Sequence, residues 1–304
     1  MNIPNNFSLI ISTAFLLSAM PVAVKAQSND PPTRCKTVAA RMLSVGDQFH
    51  SKGSVLCPQD RVRPLQNQKP MISCHHTQKL LRGEVGEIGD LCSRKQRRIY
   101  PSKSGSNSSK SRSSGRESGK PSLIKPFGTM VMQLRPELEW NPVVGATHYL
   151  VTLQASDSTE KLEQVVHTGN SLRYPQAWPK LQYGRNYRVT IFAYQKQRII
   201  SSDHDTLELL IEEEANLIQD AVTAINQLPL SPVEAAKELD TAYMSAKLFH
   251  ESINALEKVR QAGQSNHQLN QLLADRYYQV GQSELAASIG VEAQLPTRTK
   301  FPQK

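Results

Sequence analysis

The chain has 304 residues, with 36 Lys and Arg against 27 Asp and Glu, a net charge of +9. The charge is bipolar: residues 94–120 hold nine Lys/Arg against Glu117 alone, while residues 203–260 hold four against twelve acids. This distribution disfavours a nucleic-acid reader, which carries its positive charge on one folded face. The length suits two or three small domains, and no stretch after residue 26 is apolar enough to cross a bilayer.

Residues 1–26 read as a secretory signal peptide. A fourteen-residue apolar core runs from Phe7 to Met20 and is followed by Pro21 and the small-residue pattern Val24-Lys25-Ala26. That core is shorter than the roughly 20 residues a span needs. No cysteine follows until Cys35, and no twin-arginine pair precedes the core. An exported, unanchored chain in a periplasmic or extracellular setting is expected, with no membrane span after processing.

Residues 27–100 hold all four cysteines, Cys35, Cys57, Cys74 and Cys92. Alternation over Val38–Leu43, the Gly46-Asp47 turn signal and the short run Ser54-Val55-Leu56 predict a small β-rich unit. So small a core needs staples. An even cysteine count in an exported chain favours two disulfides, with three connectivities open. Cys57, Cys74-His75-His76 and Cys92 also offer thiolate and imidazole for zinc or copper. The close Cys pair of zinc motifs is missing, so no metal is expected, and without Cys-x-x-Cys no redox role is either.

Residues 101–125 read as a flexible Ser/Lys/Arg-rich spacer, because ten serines and three glycines over 101–122 cannot build a core. Together with Arg94-Lys95-Gln96-Arg97-Arg98 it offers positive charge to an anionic envelope polymer. The spacer has no aromatic residue on which a base could stack. Gly115-x3-Gly119-Lys120 has the wrong spacing for a phosphate loop and continues into Pro121.

Residues 126–211 switch to period-two runs: Met130–Met132, Leu138–Trp140, Tyr149–Leu153, Tyr187–Tyr194 and Leu207–Ile211. Leu138-Glu139-Trp140-Asn141-Pro142 with Tyr149, and Leu181-x2-Gly184-x2-Tyr187, resemble the corresponding strands of a fibronectin type III domain. The resemblance implies an antiparallel β-sandwich in which Trp140 is buried and the Tyr187 hydroxyl bonds back to the chain at a tyrosine corner. The stretch Pro175–Pro179 departs from that pattern, so one strand is expected to be missing or displaced. Asp203-His204-Asp205, the densest titratable cluster, is expected in a polar turn before the last strand.

Residues 212–295 carry helical spacing. Ala215, Ile218, Val222 and Ile225 share one face behind Glu212-Glu213-Glu214, where negative charge suits a first turn. Ser231-Pro232-Val233-Glu234 forms a capping-box start. Further helices run to about Ala262, from Asn266 to Val280 and from Ser283 to about Glu292, with breaks at Gly263 and Gly281. One constant offset pairs Leu239 with Leu273, Tyr243 with Tyr277 and Ser252 with Ala286. That offset is the period of a stacked helix-pair repeat. The pattern resembles a tetratricopeptide repeat, without its tryptophan and terminal proline. Under that resemblance the tyrosines have two readings: Tyr243 and Tyr277 fill the core between paired helices, the expectation adopted, or Tyr278, Asn270 and Asp275 line a concave surface for a peptide. Residues 296–304 are expected to be a tail.

The fold class expected is multidomain α+β: a disulfide-stapled β-rich unit, an antiparallel β-sandwich and C-terminal helical hairpins. No Gly-x-Ser-x-Gly elbow exists, and the histidines outside the 75–76 pair are scattered. The sequence therefore points to a non-enzymatic scaffold or adaptor for a protein or peptide partner in the cell envelope, with no cofactor. The alternative is an envelope-polymer or metal-binding module using the basic spacer or the Cys/His segment.

Overall fold

The structure, a computed structural model, describes Cys35, residues 37–93 and residues 119–294, with side chains through Gly290. The segments expected to be a signal peptide (1–26), a basic spacer (94–118) and a tail (296–304) lie outside the described residues.

The cysteine unit contains β1 (Ala40–Met42), β2 (Val55–Leu56), β3 (Arg61–Val62), β4 (Met71–Cys74), β5 (Lys79–Arg82), β6 (Gly86–Glu87) and the short α1 (Ile88–Ser93). Four strands form an antiparallel sheet in the order β2-β1-β4-β5, and β3 pairs with β6. The Gly46-Asp47 turn is held from within. Gly46 sits at φ +112°, and the Asp47 carboxylate accepts the amides of Phe49, His50 and Arg63. Burial would raise the pKa of Asp47, but those amides and the His50 ring hold it below the usual carboxylate range. Disulfides join Cys35 to Cys57 and Cys74 to Cys92, choosing one of the three connectivities. The small core of Ala40, Met42, Leu56, Ile72 and Ile88 lies between them.

The sandwich comprises β7 (Leu123–Lys125), β8 (Met130–Val131), β9 (Leu138–Trp140), β10 (His148–Ala155), β11 (Lys161–Val166), β12 (Ser171–Leu172), β13 (Asn186–Gln195) and β14 (Arg198–Leu209). One sheet runs β11-β10-β13-β14-β8 and faces a second, β12-β9-β7. All pairings are antiparallel except β14 with β8. Trp140, Val151, Leu153, Ile191 and Leu207 are almost wholly buried between the sheets, because alternate residues of each strand point inward.

Three features depart from the sequence expectations. β7 lies inside the span assigned to the spacer, because Leu123 gains a buried place opposite Trp140 that composition cannot reveal. No strand is lost near Pro175–Pro179; β11 and β12 supply the middle of the sandwich. Trp178 is buried in that irregular stretch, and the Arg135 guanidinium donates to the carbonyls of Pro175 (2.9 Å) and Trp178 (3.1 Å). Finally, β14 starts at Arg198, so Asp203-His204-Asp205 lies within a strand. A tight turn with Lys196 at φ +55° replaces the Asn-Gly signal that usually marks such a hairpin.

The helices are α2 (Glu212–Asn226), α3 (Pro232–Met244), α4 (Phe249–Gln261), α5 (His267–Gln279) and α6 (Ser283–Gln294). Ser231 and Glu234 make the reciprocal capping box, and Asn266 caps α5 through Leu269. The two hairpins close in the same way at the offset that relates Tyr243 to Tyr277. Leu248 N–H donates to Tyr243 C=O at 3.0 Å, and Gln282 N–H donates to Tyr277 C=O at 2.9 Å. The left-handed residue before each donor is Lys247 (φ +59°) in the first and Gly281 (φ +77°) in the second.

These parts share cores. Leu43, Met71 and Leu80 of the cysteine unit pack in one cluster with Leu210, Ile218, Ala221, Ile225, Ala242 and Leu248. Phe127, entering the sandwich, packs with Ile253, Leu256, Leu273 and Tyr277 of the helices. The Phe127 and Tyr277 rings meet edge to face at 5.6 Å.

Candidate functional site

The outer face of the five-stranded sheet is the most distinctive free surface. Pairing places Leu150 beside Phe192 and Val165, and Tyr194 beside His148 and Ile199, all on the side away from Trp140. Val165 and Ile199 are exposed, while Leu150, Phe192 and Tyr194 are half-buried. Leu150, Phe192, Tyr194 and Ile199 line one end of a shallow concavity of about 320 Å³, with Thr152 and Thr190 in its middle and Gln154, Lys161, Glu163 and Arg188 beyond them. An apolar patch that runs into polar and charged residues suits a recognition surface. The signal in the sequence was apolar residues on both parities: Leu150 beside Tyr149 and Val151, and Phe192 beside Ile191 and Ala193.

The cysteine unit is clamped to the helices by Glu238 of α3. Its carboxylate, buried to 5% exposure, accepts from Arg41 Nε at 2.7 Å, His75 Nε2 at 2.8 Å and Ser73 Oγ at 3.0 Å. Burial alone would raise its pKa; the bonds and charges of His75 and Arg41 outweigh that and hold it low. Two positions on, Asp240 takes a two-pronged grip from Arg276 of α5, Nε to Oδ1 at 2.7 Å and Nη2 to Oδ2 at 2.8 Å, and also accepts from Ser252. Asp240 and Arg276 are 2% and 3% exposed. This pair ties the first helical hairpin to the second.

Glu251 of α4 contrasts with both. It is buried with no side-chain partner for its carboxylate, and burial pushes its pKa up to about 7 against a weaker opposing pull from the backbone amides of Glu251 itself and Met132. The adjacent His250 is pushed down to about 4, first by burial and then by the Lys125 charge. Between about pH 4 and pH 7 this neighbouring acid and base both favour their uncharged forms.

The residues singled out in the sequence fall as follows. Cys35, Cys57, Cys74 and Cys92 are all disulfide-bonded, so no thiolate is left for a metal. His75 is engaged with Glu238, and His76 beside it is exposed. Trp140 is fully buried, its ring 5.3 Å from that of Tyr149. Tyr187 makes the tyrosine corner: its hydroxyl accepts the Gln182 amide at 2.9 Å. Tyr277 is buried and donates to Glu257 at 3.1 Å, whereas Tyr243 is half-buried. Tyr278 and Asp275 are exposed, and Asn270 is half-buried with its Oδ1 lacking a partner. Strand alternation splits the Asp203-His204-Asp205 cluster. His204 sits opposite Thr190 on the outer face, while Asp203 and Asp205 sit opposite the inward-facing Ile191 and Val189. Those three side chains therefore do not converge. Glu238, Asp240, Glu251 and Arg276 were not legible as a group, since their partners lie on other elements. Among the described residues no three His, Cys, Asp or Glu side chains converge as a metal cluster, and no helix is long and apolar enough to cross a membrane.

No protein-family model matches the chain. No curated protein matches it either. Among solved structures, it is similar to the fn3 domain of the human collagen alpha-1(XX) chain, with 21% identity, 33% of this chain and 94% of that one covered, and a TM-score of 0.25. It is also similar to the FN5 domain of Drosophila Lar, with 13% identity, 30% and 96% covered, and a TM-score of 0.24. The chain's own geometry shows a two-sheet sandwich with a tyrosine corner at Tyr187.

Proposed function

We propose that this chain is an exported, non-enzymatic adaptor that binds a protein or peptide partner on the outer face of its five-stranded sheet. The observation that carries the reading is the two-sided apolar character of β10 and β13. Leu150, Phe192 and Tyr194 stay open to solvent although the inner parity already supplies the sandwich core. Two disulfides agree with an oxidising, extracytoplasmic compartment. The helices read as tetratricopeptide-like, a reading supported by the matching caps that follow Tyr243 and Tyr277. In this arrangement they pack against both the cysteine unit and the entry to the sandwich.

The test is cross-linked capture from the native envelope fraction, comparing the full chain with its Phe192→Glu and Leu150→Lys variants. Partners held by the parent and lost by both variants, at unchanged thermal stability, support the proposal. Capture profiles identical for all three chains, or no partner above background at low and moderate salt, defeat it.

A further inference from the structure

At one end of that sheet face two imidazoles stand on neighbouring strands. Tyr149 pairs with Val166, so His148 at the start of β10 lies across from His167, the residue just after β11. Their ring centres are 6.0 Å apart, with planes inclined by 37°. Late first-row divalent ions bind imidazole nitrogen at about 2.0–2.1 Å, which puts the centres of two rings sharing one ion roughly 4.5 to 6.4 Å apart as the N–metal–N angle opens from 90° to 180°. The observed spacing lies within that range and corresponds to a wide angle.

The surroundings also prepare a ligand nitrogen. The Thr147 hydroxyl donates to Tyr194 C=O at 3.1 Å and accepts the Lys196 amide at 3.1 Å. It also lies 3.1 Å from His148 Nδ1, where either group can be the donor. In the tautomer with the proton on Nδ1 the lone pair stands on Nε2, and this contact is then the outer-shell bond that usually supports a metal-binding histidine. The ring is further held by stacking on Tyr194, at 4.9 Å and 12°.

We propose that His148 and His167 form a two-imidazole site for a late first-row divalent cation such as Cu²⁺ or Zn²⁺, with water completing the coordination. The site is open, because only two protein ligands are supplied and His167 is exposed. Cu²⁺ binds most tightly among such ions, in line with the general order for nitrogen ligands.

Cu²⁺ titration of the full chain by calorimetry, with pulsed electron paramagnetic resonance to count bound imidazoles, tests this. The parent is expected to show a site with two equatorial imidazoles. His148→Gln and His167→Gln are each expected to weaken it by about tenfold or more and to leave a one-imidazole signal, with circular dichroism and melting unchanged. Thr147→Val, which removes the hydroxyl beside His148 Nδ1, is expected to weaken binding less, while keeping two imidazoles. A two-imidazole signal that survives in both histidine variants, or that disappears in His76→Gln instead, overturns the assignment. So does a parent that binds no Cu²⁺ through imidazole.

Discussion

The sandwich and the helical block bury their interiors on different terms. Between the sheets the buried side chains are almost all apolar or aromatic, and their partners come from the same two sheets, over residues 123–209. The helical block buries Glu238, Asp240, Glu251 and Arg276, and its apolar faces are completed by the cysteine unit on one side and by Phe127, Met130 and Met132 on others. Strand alternation is enough to select neighbours that pair along a ladder. Helix faces are less selective, because any apolar surface can cover them. Buried charges with a single acceptable partner add the missing specificity, a role in which such groups serve better than as sources of stability.

The contrast is broken most directly at Arg276. Arg276→Met leaves Asp240 buried with only Ser252, and the expected cost is about 3–5 kcal/mol. Urea unfolding should show a lower midpoint in the helical signal. The double variant Asp240→Leu/Arg276→Met should recover most of the loss, since no buried charge remains; failure to recover would make the pair a source of stability in its own right.

Glu251 sharpens the comparison through pH. Its folded pKa, near 7, lies above the unfolded value of 4.5, so the folded chain holds the proton more tightly than the unfolded one. Its contribution is therefore greatest below the unfolded value and is lost as pH rises toward and past 7, on the order of 3 kcal/mol in full. His250 works in the opposite sense: with a folded value near 4 against 6.5, its contribution is present above 6.5 and lost as pH falls toward 4. The two largely offset each other over the middle of this window. Glu251→Gln should remove one arm, raising stability at pH 8 and leaving a curve that climbs from pH 4 to 6.5. Melting temperatures across that range decide it, and an unchanged profile would mean that Glu251 is solvated in the folded chain.

The smallest effect belongs to the sandwich. Tyr187→Phe removes the hydroxyl that accepts the Gln182 amide, while keeping the ring in the core. About 1 kcal/mol is expected, read as a shift in urea midpoint with an unchanged slope. A loss as large as that for Arg276→Met would erase the distinction between the two regions.

Much of the candidate site could be read in advance only as strands. Leu150, Phe192 and Tyr194 stood within runs expected to be β, but which parity faces inward is settled by the opposite sheet, not by the run itself. His148 and His167 are well separated in the chain and meet only because β10 and β11 pair in one register. The Asp203-His204-Asp205 cluster misled in the opposite way. Its proximity along the chain is undone by an alternation that turns neighbours to opposite faces.

Local chemistry in the sequence was sufficient for the helix starts, the breaks at Gly263 and Gly281 and the constant offset between the two hairpins, while the buried tryptophan and the tyrosine corner were implied by the resemblance to a fibronectin type III pattern. Each depends on residues within a few positions or on a repeated pattern. The disulfide connectivity, the Glu238 clamp, the Asp240–Arg276 grip and the open sheet face were decided by tertiary packing. Each joins residues whose separation in the chain carries no information about their distance in space, so only the relative placement of whole elements could bring them together or leave them exposed.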